Sequence, residues 1–110
     1  MIDWTRVAEL RDEIGPEDFD EVAELFLMEV EDTLSRLADA VNDPPQMQSL
    51  LHFLKGSALN LGFQDVSDLC SKGEADAADG VLSVDTDALK QLYKQSRTAF
   101  EAGFAERFAA

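Results

Sequence analysis

The residues with the richest chemistry lie in one short stretch, LLHFLKGSALNLGF, at positions 50–63. It holds the only histidine in the chain, His52, followed by Lys55, Gly56 and Ser57. An imidazole can carry protons, ligate a metal or act as a nucleophile. A metal site needs further ligands, yet there is no second histidine, and Cys70 is the lone cysteine. A Ser-His-acid hydrolase needs a nucleophile elbow, and that glycine pattern does not occur. Walker and dinucleotide glycine loops are missing too, which excludes nucleotide binding by those routes. What remains is the imidazole itself as the group that forms a covalent bond.

Helical spacing decides how His52 is presented. A helix turns about 100° per residue. With His52 at zero, Leu50, Leu61, Leu54, Met47 and Ala58 fall between about 160° and 240°, the stripe that a helix buries. His52 points away from that stripe, towards water. Gln48, Lys55 and Leu59 stand on one side of it and Gly56 on the other. A side chain four residues on would lean over the imidazole, so glycine there leaves room for a reaction partner. In a helix interior that glycine costs about 1 kcal/mol relative to alanine. Ser57, at about 140°, fits either a packing residue bonded to a backbone carbonyl or a role in orienting the site.

The run HFLKGSALNLG resembles the signature of histidine-containing phosphotransfer (HPt) domains, close to H-x-L-K-G-S-x-x-x-L-G. His52, Leu54, Lys55, Gly56, Ser57, Leu61 and Gly62 match it. The order of elements fits as well: an acidic amphipathic helix before the motif, then a helix carrying Leu69, Cys70 and Glu74. The resemblance implies a four-helix bundle acting as a phosphorelay carrier in two-component signal transduction. His52 would accept a phosphoryl group from a receiver-domain aspartyl phosphate and pass it to another response-regulator receiver. Receiver domains and a hybrid sensor histidine kinase would be the partners. Mg²⁺ would belong to the receiver, and the chain would need no cofactor. Lys55 would stabilise charge on the transferred oxygens. Leu25 and Met28, on the outer side of the preceding helix, could join Gln48 and Leu59 as a docking patch; scattered apolar exposure is the equal alternative.

These residues need a scaffold, and 110 residues are enough for one domain, 1–110. Asp3 caps a short first helix with Trp4, Val7, Ala8 and Ile14 near one face, ended by Gly15-Pro16. Pro16 opens a second helix with Phe19, Val22, Ala23, Phe26, Val30, Leu34, Leu37 and Val41 as its stripe. Asn42 to Pro45 form a turn, with Pro44 pushed away from helical geometry. The third helix runs from Pro45 to about Leu61; Gly62 stops it and Phe63 folds back on Ala58. A fourth covers Gln64 to Ala78, with Val66, Leu69, Cys70 and Gly73 inward. A fifth, from Thr86 to Ala105, buries Leu89, Leu92, Tyr93, Ala99 and Phe100. Short loops between long amphipathic helices imply antiparallel neighbours. The expected fold is all-α: an up-down antiparallel four-helix bundle with a short extra N-terminal helix.

The net charge of −14 repels nucleic-acid phosphates and anionic lipid, which removes both as partners, and it favours a monomer. The N-terminus has no apolar run of signal-peptide length and the chain has no 18-residue apolar stretch, so a cytoplasmic location is expected. The phosphoacceptor domain of a histidine kinase is a rival, but that class places an acidic residue after its histidine, where Phe53 stands here. A helical adaptor that binds receivers or other proteins without phosphorylation is the second rival. Only phosphate incorporation at His52 separates it from the carrier. An autonomous enzyme finds no acid–base pair or cofactor motif.

Overall fold

The computed structural model describes residues 1–108, nearly all of them helical. The helices are α1 (Trp4–Ile14), α2 (Pro16–Arg36), α3 (Pro44–Asn60), α4 (Gln64–Ala78) and α5 (Thr86–Phe108). Helices α2 to α5 form the bundle, and α1 packs against α2 and α3 at one end. Asp3 caps α1 through its side chain, which accepts from the Arg6 N–H at 3.3 Å. No helix among the described residues is long and apolar enough to cross a membrane.

The second helix departs from its expected course. Its α-helical part stops at Arg36, and Leu37–Ala40 continue as a 3-10 turn. Three residues per turn bring Ala40, not Val41, beneath Leu37. Ala40 is accordingly buried, while Val41, expected in the apolar stripe, is exposed. The third helix begins at Pro44 rather than Pro45, because the first turn of a helix needs no N–H from either proline. Asp43 caps it by accepting from the Gln46 N–H at 3.2 Å. Leu10, Leu27 and Leu51 join the core beyond the residues the periodicity singles out, whereas Leu50, Leu92 and Ala99 are only partly buried.

The α3–α4 connection is tight. Gly62 has φ 75°, a left-handed conformation that only glycine adopts without strain. Around it the Phe63 N–H donates to the Ala58 carbonyl at 2.8 Å and the Gly62 N–H to the Leu59 carbonyl at 3.1 Å. This is the paired closure that satisfies the last carbonyls of a helix. The Asp3 N–H donates to the Gly62 carbonyl at 2.7 Å, tying the start of the chain to this turn.

Past the turn, α3 and α4 form the closest pair of the bundle. A Cβ on Gly73 would lie 2.8 Å from Cδ1 of Leu51 and 3.2 Å from Cβ of Val84. The absence of that carbon leaves room for the Leu51 side chain from α3 and for Val84 from the loop before α5. By contrast α2 and α5 are bridged by long side chains. The Tyr93 hydroxyl donates to the Glu31 carboxylate at 2.7 Å, and Arg97 pairs with both Glu31 and Glu24. Helix α5 also runs past the expected Ala105. Phe104 and Phe108 extend its stripe, with Phe104 stacked on Phe19 at 5.2 Å and Phe108 against Phe104 at 4.8 Å.

The two helical glycines of the hairpin should therefore respond in opposite ways. Gly73→Val crowds Leu51 and Val84 and should lower stability by about 1–3 kcal/mol. A Cβ on Gly56 would meet nothing within 4 Å. Gly56→Ala should accordingly raise stability by about 0.5–1 kcal/mol. Denaturant unfolding of both variants checks this; destabilisation by Gly56→Ala would show a packed site instead of an open one.

Candidate functional site

Helix α3 carries His52 in its middle and presents it outward, with 70% of the side chain exposed. The ring is nonetheless held. Its Nδ1 lies 2.8 Å from Oε1 of Glu74 on α4. The other carboxylate oxygen, Oε2, lies 2.7 Å from Nζ of Lys55. One carboxylate, only 18% exposed, thus joins the imidazole and the ammonium.

The hairpin explains why these groups meet. His52 and Glu74 each stand eleven residues from Phe63, one before it and one after. Antiparallel helices bring such positions level. Gly73, next in the chain to Glu74, takes the Leu51 side chain of α3 against its bare backbone.

The electrostatics follow from this placement. The hydrogen bond from Lys55, and then that from His52, hold the Glu74 carboxyl below its usual range, with burial opposing. An ionised carboxylate can only accept, so a neutral His52 carries its proton on Nδ1. Nε2 is left with a free lone pair on the solvent side of the ring. Cys70, deeper under the same carboxylate, has its thiol pushed up to about 12 by burial and then by the charge of Glu74. It is a core residue and not a nucleophile. No group of three or more His, Cys, Asp or Glu residues among those described could hold a metal ion.

The other candidate residues fall in different places. Gly56 is exposed, on the open side of His52. Ser57 is buried at 7% exposure and does not join the His52–Glu74–Lys55 group. Gln48 is half-buried, one turn before His52. Leu59 is exposed but lines a shallow groove with Asp3, Arg6 and Glu9 of the N-terminal segment. Leu25 and Met28 are exposed on α2. Phe53, absent from the expected docking residues, is also exposed and lines the α2–α3 groove with Glu29 and Leu50. Its angle of about 100° from His52, at the edge of the buried stripe, was the available signal. Glu74 is the other residue that the sequence reading left without a role. The equal spacing about Phe63 and the neighbouring Gly73 would have pointed to it.

A helical bundle that offers one outward imidazole, with one ring nitrogen exposed and a carboxylate behind the other, has the layout of a phosphocarrier module. The Hpt domain family model matches residues 21–99, from within α2 to within α5, and the chain belongs to the Hpt domain family. It is accordingly a histidine phosphotransfer carrier of two-component signalling, a class of modules that exchanges phosphoryl groups with receiver domains and kinases and is not itself a catalytic kinase. No curated protein and no solved structure is significantly similar to the chain.

The carboxylate bridge makes stability depend on acid. Glu74 ionises more readily in the folded chain than its ordinary value of 4.5. Its contribution is therefore present above that value and lost as pH falls through the lower folded value. Glu74→Gln should flatten this acid limb of the stability profile, read by thermal melts from neutral pH downward. Nitrogen NMR of the neutral form of His52 should show the proton on Nδ1 in the parent and a mixture of tautomers in the variant. A ring protonated mainly on Nε2 in the parent would contradict the assignment.

Proposed function

We propose that His52 is the phosphoacceptor of a phosphorelay carrier that takes its phosphoryl group from a receiver-domain aspartyl phosphate. The observation that carries this reading is the Nδ1–Glu74 hydrogen bond on an otherwise exposed imidazole. Nε2 attacks phosphorus in line. The N–P bond forms as the P–O bond to the receiver aspartate breaks, and the aspartate leaves as a carboxylate. The ring becomes cationic as this happens, and Glu74 stabilises that charge from behind. Lys55 lies beside the bridge, where its ammonium can turn to the phosphoryl oxygens as they arrive. Gly56 keeps the approach clear. Transfer to a second receiver is the same path reversed.

In this reading the receiver supplies Mg²⁺, and a hybrid sensor histidine kinase supplies the first receiver. The carrier works as a cytoplasmic monomer, its charge of −14 opposing self-association. Leu25, Met28 and Phe53 are the apolar exposures offered to the docking partner. Ser57, being buried, acts through packing of α3.

Incubation with a phosphorylated receiver domain and Mg²⁺, followed by native mass measurement, tests the reading. A single chain of 12.1 kDa should gain one acid-labile phosphoryl group, and His52→Gln should fold but gain none. Uptake by that variant sinks the assignment, and failure of the parent with every receiver tried returns the adaptor reading.

Transfer rates probe the neighbours. Lys55→Ala should slow transfer by about 5- to 30-fold, the effect of one partly screened cation on the transition state. Gly56→Gln should keep the fold and block transfer much more severely, because its side chain leans over the imidazole. Unchanged rapid-mixing rates in either variant remove that residue from the mechanism.

A further inference from the structure

The groove between α2 and α5 has no part in the site described above. Neighbour relations put it on the far side of the molecule, since α3 lies beside α2 and α4, while α5 lies beside α4 and is bridged to α2. It holds an open hollow of about 330 Å³. Its floor is apolar, made by the buried Leu34 and the ring of the buried Tyr93.

The charge at its mouth runs against the rest of the chain. The sequence has 23 acidic and 9 basic residues, yet Lys90, Lys94 and Arg97 all line this one groove, with Glu31 as the one acid among its lining residues. Arg97 is engaged with Glu31, Glu24 and Glu101. Lys90 and Lys94, one helical turn apart, have no ion-pair partner among the described residues. The Arg97–Glu31 pair crosses from α5 to α2 and bounds the hollow at one end. A compact body can sit on the floor with its charged end between the two ammonium groups.

We infer that the α2–α5 groove binds a small amphipathic anion, an aromatic or short acyl carboxylate, with its apolar part on Leu34 and Tyr93 and its carboxylate between Lys90 and Lys94. The volume lies at the lower end of the range of small-molecule pockets, which combine apolar walls with a few placed polar groups. Such a ligand would join α2 to α5 without covering His52. A phosphocarrier could then hold a metabolic acid while it exchanges phosphoryl groups.

Titration of ¹⁵N-labelled protein with 2-naphthoate tests the site. Saturable shifts should centre on Leu34, Ser35, Lys90, Tyr93 and Lys94, with a Kd at or below about 1 mM. The double variant Lys90→Glu, Lys94→Glu should bind about tenfold more weakly. It should melt like the parent and take up phosphate at the parental rate, since neither lysine touches the His52 group. 2-Naphthylmethylammonium, the same body with the opposite charge, should leave the groove signals unmoved. The inference is overturned by the absence of saturable shifts, by shifts centred elsewhere, such as on Trp4 or Phe53, or by equal binding of the cation or the double variant.

Discussion

Helix α4 meets α3 at Gly73, where the Leu51 side chain and Val84 fill the space that a side chain would take, and the carboxylate of the site leaves α4 at the next residue. From there Glu74 reaches both His52 Nδ1 at 2.8 Å and Lys55 Nζ at 2.7 Å. Leu51, the other side of the contact, is the residue immediately before His52, so packing and chemistry share one turn of α3. The tight turn at Gly62 and Phe63 sets the register that makes the two positions level. A backbone requirement at one end of the hairpin and a packing requirement further along it are enough to assemble the functional group.

Glu74 also shows how a strongly acidic chain manages its charge. Most of its carboxylates face water. This one is mostly covered, and it is tolerated because the Lys55 ammonium pairs with one oxygen and the His52 imidazole bonds the other. A half-buried carboxylate without both partners would be costly to keep ionised. The same pairing steers the histidine proton to the inner nitrogen. Stability and reactivity thus draw on one set of contacts, whereas Tyr93, Glu31 and Arg97 on the far side lock α2 to α5 with no bearing on the imidazole.

Much of this was legible in the residues themselves. The outward angle of His52, the open side at Gly56, the stop at Gly62 and the five helices all follow from local rules, and the structure reproduces them. The departures arise where a neighbour overrides the local pattern. Val41 leaves the apolar stripe because the chain tightens to three residues per turn before the proline pair. Phe104 and Phe108 prolong α5 because α1 and the start of α2 give their rings something to stack on. Glu74 reads as one more acid in an acidic chain until the two helices are set side by side. Helical periodicity says which face of α4 turns inward, but the identity of the group opposite each position comes only with the hairpin register.

The hairpin has a consequence for the order in which the chain acquires its parts. His52, Lys55, Gly56 and Glu74 all belong to the segment from Pro44 to Ala78, whose contacts join residues near in sequence. Local contacts of this kind close quickly and with little loss of loop entropy. The tie between Asp3 and Gly62, and the docking of α5 on α2, span most of the chain. The imidazole–carboxylate pair can therefore meet before α5 docks on α2, within a hairpin that holds every member of the functional group.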